Sequence, residues 1–121
     1  MAKLKVGVVG LGGIGNNHAR CYTANPHTDV VAVCDMNKER ADKAASTYGA
    51  QAFYSVRSML KSGIKLDGCS MCSAGVENGG DHYTPTMELL KAGIPVLGEK
   101  PISNDVSKAR RMVKLAKEKR V

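Results

Sequence analysis

The chain has 121 residues, 43% of them hydrophobic and 24% charged, with a formal net charge of +7. One domain with its own core fits that length, and the composition excludes a disordered or fibrous chain. The positive excess sits at one end, where Ser103 to Val121 carries seven Lys/Arg against two acids; no groove-reading motif accompanies it, which argues against a nucleic-acid partner.

Lys3 to Val9 reads as a first strand that runs into Gly10-Leu11-Gly12-Gly13-Ile14-Gly15. A helix is predicted from Gly13 to about Ala24, with Ile14, His18, Cys21 and Tyr22 spaced as one face turned to the sheet. His18 reads as a satisfied core histidine, because His18, His27 and His82 lack metal-ligand spacing, and no metal site is expected. Asn25-Pro26-His27 ends the helix, since proline cannot continue it. The second strand, about Asp29 to Cys34, is nearly all apolar, as a parallel strand covered on both faces should be. Asp35 follows at its carboxyl end. The next helix, about Lys38 to Tyr48, sets Ala41, Ala44, Ala45 and Tyr48 at helical spacing, with Gly49 as its stop.

Gln51 to Tyr54 reads as a third strand, and Ser55 as the cap of a brief helix that turns Val56, Met59 and Leu60 inward and ends at Gly63. Leu66 to Cys72 reads as the fourth strand. Ser73 to Gly80 is then a glycine-rich loop at a strand's carboxyl end, where loops tend to carry function. Asp81 is placed to cap a helix that repeats Tyr83, Met87 and Leu90 and stops at Gly93, with Pro85 tolerated in its first turn. Ile94 to Gly98 is a fifth strand, followed by Glu99-Lys100-Pro101. Ser103 is the expected cap of the last helix, whose Val106, Ala109, Val113 and Ala116 form an apolar stripe and whose other faces hold the charges.

This alternation defines an α/β fold, a doubly wound parallel sheet of the Rossmann type. A six-stranded version needs one more strand after the last helix, where only Val121 remains. The expectation is a dinucleotide-binding domain over residues 1–121, a fragment truncated before the sixth strand and without a C-terminal substrate and catalytic domain. An unpaired sheet edge would allow homo-oligomers. The N-terminus lacks the pattern of a signal peptide and the longest uninterrupted apolar run is five residues, so a cytoplasmic protein with reduced thiols and no membrane partner is expected. Cys69-Ser70-Met71-Cys72 has redox or metal spacing, but it falls in a predicted strand with no second pair and reads as buried strand residues.

The glycines are asked for one by one. Gly10 allows the tight turn off the strand, Gly12 lets the main chain approach a pyrophosphate, and Gly15 lets the helix lie close on the sheet. The helix N-terminus then offers free N–H groups to phosphates. Asp35 lies twenty residues past Gly15, where a carboxylate would accept from a ribose diol and repel a 2′-phosphate, favouring NAD. Lys38 and Arg40 are near enough to keep NADP possible. The alternative for Asp35 is a helix cap near Asn37.

The run Ala92 to Pro101, ending in Glu99-Lys100-Pro101, follows His82 and the Gly10 to Gly15 fingerprint. Together these resemble the N-terminal domain of the glucose-fructose oxidoreductase and inositol dehydrogenase family, also called MocA-type oxidoreductases (Gfo/Idh/MocA), over essentially the whole chain. The resemblance implies an NAD(P)-dependent oxidoreductase that moves hydride between a nicotinamide cofactor and a sugar, cyclitol or related polyol. The substrate would be bound through the absent domain, so this fragment alone is expected to be inactive. It also implies a site: Gly10, Gly12, Gly13, Ile14 and Gly15 around the pyrophosphate, Asp35 at the adenosine ribose, and Ser73 and Ala74 near the nicotinamide ribose. Glu99, Lys100 and Pro101 would shape the nicotinamide end, with Lys100 a catalytic candidate.

Lys100 has physical grounds of its own. Proline restrains the residue before it to an extended backbone, and open parallel sheets bind ligands at strand carboxyl ends. A cationic donor there would favour the alkoxide-like charge that develops as hydride leaves carbon. The alternative is a surface lysine paired with Glu99. For the whole chain, the alternative is a non-catalytic NAD-sensing Rossmann module; a methyltransferase would share the glycine loop but give no reason for Glu99-Lys100-Pro101.

Overall fold

Five parallel strands form one sheet in the order β3-β2-β1-β4-β5, in a computed structural model that describes residues 2–75 and 80–121. The elements run β1 (Leu4–Val9), α1 (Gly13–Ala24), β2 (Thr28–Cys34), α2 (Lys38–Tyr48), β3 (Gln51–Phe53), α3 (Val56–Lys61), β4 (Gly68–Met71), α4 (Tyr83–Lys91), β5 (Val96–Gly98) and α5 (Val106–Lys119). Residues 76–79 of the predicted Ser73 to Gly80 loop lie outside the described residues. After β3 the chain returns to place β4 on the other side of β1, so the strand order reverses between β1 and β4. Such a reversal opens a crevice at the carboxyl ends of the strands. Val9 pairs with Cys34 on one side and Met71 on the other, which brings three strand ends level at that crevice.

Each face of the sheet has its own core. Val6, Val8, Val30 and Val33 pack with Leu11, Ala19 of α1 and Ala44 of α2. On the opposite face Val9, Ala32, Cys34, Cys69 and Met71 pack with Val56 and Met59 of α3 and Leu89 of α4. Met59, Met71 and Leu89 are fully buried, and truncating any of them to alanine would cost about 2–5 kcal/mol. Val6 pairs with Val30 but Gly7 with Ala32, which leaves Val31 as an extra residue in β2. That bulge is why Val30 and Val33 share a face although they are three apart.

Three predicted faces are corrected by the packing. In α1 the buried residues are Gly15 and Ala19, while Ile14 is 54% exposed and Cys21 is exposed. The helix lies so close on these small residues that the larger side chains at 14 and 21 turn away. In α4 the buried positions are Thr86, Leu89 and Leu90 rather than Tyr83 and Met87, because buried His82 starts that face one residue earlier. In α5 only Met112 is buried, and Val106 and Val113 are 67% and 49% exposed. This helix rests chiefly on α4, a narrower contact than a sheet face.

Its cap is also corrected. The Asp105 carboxylate accepts the N–H groups of Ser107 and Lys108, while Ser103 Oγ accepts that of Asp105. The caps expected for the shorter elements are present: Ser55 accepts from the Ser58 N–H, and Asp81 from those of Tyr83 and Thr84. Strands β3, β4 and β5 are shorter than the predicted stretches Gln51 to Tyr54, Leu66 to Cys72 and Ile94 to Gly98, although single main-chain bonds, from the Asp67 N–H to the Lys5 carbonyl and from the Cys72 N–H to the Val9 carbonyl, carry the contact of β4 with β1 past its ends. Among the described residues no helix is long and apolar enough to cross a membrane.

Candidate functional site

The glycine turn between β1 and α1 divides into two kinds of glycine. Gly10 has φ +87°, and a Cβ on it would lie 2.4 Å from the Ser73 nitrogen. A Cβ on Gly15 would lie 1.6 Å from the Gly10 carbonyl oxygen. The fold itself therefore demands these two. At Gly12 and Gly13 a Cβ would meet nothing within 4 Å, and Gly12 has an ordinary φ of −76°. Among the described residues nothing requires glycine at either place.

Those two bare residues face a crevice of about 880 Å³. Gly12 is the N-cap of α1 and supplies no side-chain bond, so the N–H groups of the first turn keep their donor capacity. The turn is braced from behind: Asn16 Nδ2 donates to the carbonyls of Leu11 and Gly12 at 2.7 and 2.9 Å, and Tyr48 Oη donates to Asn16 Oδ1 at 3.1 Å. Asp35 lines the crevice at the end of β2. Its Oδ2 accepts the Leu11 N–H and its Oδ1 the Asn37 N–H, both at 2.8 Å. The carboxylate thus serves the local turn toward Asn37 and also spans to the glycine turn.

The other end of the crevice is built by β4 and β5. The Glu99 N–H donates to the Met71 carbonyl at 3.0 Å, extending the strand pairing to the motif. The Glu99 carboxylate accepts from His18 Nε2 at 2.8 Å. That hydrogen bond holds the Glu99 carboxyl below the usual range, helped by the Lys100 N–H and charge. Lys100 is exposed, lines the crevice and makes no ion pair among the described residues; Glu99 is paired with His18 instead. The Lys100-Pro101 peptide bond is cis. Ser73, Ala74 and Cys72 line the wall between, and burial, then the Glu99 charge, pushes the Cys72 thiol up to about 12.

The crevice therefore brings Gly10, Gly12, Gly13 and Ile14 together with Asp35, and these with Ser73, Ala74, Glu99 and Lys100. Gly15 and Pro101 are not among the residues that line it. Gly15 acts through packing, and the Pro101 carbonyl lies 2.9 Å from Nδ1 of buried His82, whose Nε2 lies 2.6 Å from the Ser73 carbonyl. Several contributors escape a reading of the sequence. Asn16 directly after the third glycine was the one with a local signal, an amide beside a turn full of carbonyls. Met36 lines the crevice beside Asp35, as does Arg40, which the sequence already offers beside Asp35, and the partner of His18 is 81 residues away.

A parallel sheet with a glycine turn, an uncapped helix N-terminus and a strand-end carboxylate around one switch-point crevice defines the Rossmann class of dinucleotide-binding domains. Residues 4–121 match the model of the oxidoreductase family with an NAD-binding Rossmann fold, and the chain belongs to that family. It is 30% identical over 115 residues to the D-glucoside 3-dehydrogenase of Escherichia coli K12, covering 94% of this chain and 32% of that protein. It is 32% identical over 113 residues to an inositol 2-dehydrogenase of Cereibacter sphaeroides, covering 91% of this chain and 32% of the relative. In three dimensions it is similar to the WlbA dehydrogenase from Bordetella pertussis in complex with NADH and UDP-GlcNAcA, with TM-score 0.87, 30% identity, and coverage of 98% of this chain and 36% of that one. The chain spans about a third of the length of these relatives.

Proposed function

We propose that the crevice holds NAD and that the chain supplies the cofactor half of a dehydrogenase acting on a sugar, cyclitol or related polyol. The observation that carries this reading is the pair Gly12 and Gly13, whose missing side chains serve no contact among the described residues. A diphosphate laid along them would meet bare main chain and the first-turn N–H groups of α1, which no side chain caps. When bound, the nicotinamide supplies the hydride acceptor or donor.

The remaining chemistry belongs to this chain. Asp35 has one hydrogen bond on each oxygen, and a carboxylate oxygen accepts more than one, so the ribose diol of an adenosine can be taken as well. Its charge opposes a 2′-phosphate, which favours NAD; Arg40 on the same wall keeps NADP within reach. Glu99 orients the nicotinamide end as an acceptor. Lys100 is placed to donate to a substrate oxygen and to stabilise negative charge on it as hydride leaves carbon. The dehydrogenases the chain resembles, with their glucoside, inositol and sugar-nucleotide names, support a polyhydroxylated substrate. A cation at the nicotinamide end, with no ion pair among the described residues, favours a reacting site over a purely sensing one.

NADH fluorescence tests the binding directly, because the chain has no tryptophan. Saturable enhancement that added NAD reverses supports the reading. A signal that rises linearly with NADH and ignores NAD overturns it.

A further inference from the structure

Behind the crevice, four side chains make one line of polar contacts. Tyr22 Oη lies 2.7 Å from Ser70 Oγ, Ser70 Oγ lies 2.9 Å from His18 Nδ1, and His18 Nε2 lies 2.8 Å from Glu99 Oε1. Glu99 lines the crevice; the other three do not. Ser70 is fully buried on β4, and the side chains of His18 and Glu99 are 16% and 29% exposed.

The directions of these bonds follow from one end. An ionised carboxylate only accepts, so His18 Nε2 carries a proton and donates to Glu99. In the neutral ring Nδ1 then accepts, Ser70 donates to it, and Tyr22 donates to Ser70. In the imidazolium both ring nitrogens donate, and Ser70 accepts from Nδ1. Either way each link has one donor and one acceptor, and the line ends on the crevice carboxylate.

Packing accounts for the Tyr22 ring but not for the polar contacts that join Ser70, His18 and Glu99. The core on this face is built from Val6, Val8, Val30 and Val33 of the sheet and Ala19 of α1, with the Tyr22 ring packed against it, and a fully satisfied polar network inside such a core fixes the orientation of its members. A fixed line of donors does what apolar side chains cannot: it sets the orientation of one acceptor on the ligand side.

We infer that His18, backed by Ser70 and Tyr22, is a positioning residue that holds the Glu99 carboxylate in one orientation for the nicotinamide end of the dinucleotide. This rests on the proposed reading of the crevice. ADP occupies only the glycine-turn and adenosine end, so the ratio of NADH to ADP affinity isolates the effect.

The test titrates NADH and ADP into wild type, His18→Phe, His18→Gln and Ser70→Ala, with circular dichroism to confirm folding. His18→Phe is expected to weaken NADH about tenfold, as a Glu99 carboxylate no longer held in place loses its contact to the nicotinamide end, and to leave ADP within about twofold. His18→Gln, whose amide can still donate to Glu99, should recover most of the NADH affinity. Ser70→Ala should lower it in the same sense as His18→Phe and serves if the phenylalanine variant does not fold. Nitrogen NMR should find His18 Nε2 protonated, with a shift that moves in Glu99→Gln. An unchanged NADH to ADP ratio, or equal losses of both ligands, would overturn the role of His18 while leaving the crevice reading intact. Wild type that binds neither ligand would overturn both.

Discussion

The Asp35 carboxylate accepts the main-chain N–H of Leu11 across 2.8 Å, tying the end of β2 to the glycine turn. The same group caps its own turn at Asn37, so it organises the crevice before any ligand arrives. Asp35→Ala removes two charged acceptors from a partly buried place and is expected to lower stability by about 1–3 kcal/mol in urea unfolding. It should also narrow the preference for NADH over NADPH. An unchanged urea midpoint would mean that these bonds contribute nothing to the turn.

The four turn glycines should separate into two classes of variant. Gly15→Ala puts a Cβ 1.6 Å from a carbonyl oxygen, and Gly10→Ala puts one 2.4 Å from a main-chain nitrogen at a positive φ. Both should lose more than about 3 kcal/mol or fail to fold. Gly13→Ala meets open space and should stay within about 0.5 kcal/mol of wild type. Thermal melts of the three variants check this, and equal losses at all three positions would contradict it.

Thiol reactivity should follow burial. Cys34 and Cys69 are buried and Cys21 is exposed, while burial raises the Cys34 thiol to about 12 and pushes Cys69 up as well. Titration with an aromatic disulfide should modify Cys21 rapidly in the native protein and Cys72 slowly, and reach Cys34 and Cys69 only on unfolding. Rapid reaction of Cys69 and Cys72 together would revive the redox spacing that the strand assignment sets aside.

Acid should release the contact between Glu99 and His18. The Glu99 carboxyl is held below its ordinary 4.5 by the His18 hydrogen bond, so the native state takes up its proton less readily than the unfolded chain does. Its stabilising contribution is full above the ordinary value and is lost as pH falls through the lower native one. The difference in urea midpoint between wild type and Glu99→Gln should therefore shrink below pH 4.5. A difference that persists undiminished to about pH 2 would place the stabilisation elsewhere.

What could be read in advance was whatever depends on spacing along the chain. The glycine turn, Asp35 at the end of β2 and the order of the elements all have local signatures, and the sheet follows from them. What could not be read depends on how closely elements approach. The face of α1 is set by Gly15 and Ala19, which carry little hydrophobic signal, so periodicity picked Ile14 and Cys21. The start of α5 offered Ser103 and Asp105, both good capping types two residues apart, and only the backbone decides between them. His18 reads as a satisfied histidine, and both its ring nitrogens do have partners; that one of them is Glu99 has no signature short of the folded sheet.

The central claim is that Gly12 and Gly13 are bare for the sake of a dinucleotide. NADH titrated into wild type and Gly12→Val tests it most directly, with melting curves recorded on both. The account predicts melts that differ by no more than about 1 kcal/mol, the cost of a β-branched N-cap, because a Cβ at Gly12 meets no atom of the described residues within 4 Å, together with a loss of NADH affinity of about tenfold or more as valine enters the path of the diphosphate. Equal NADH affinities for the two proteins would contradict it.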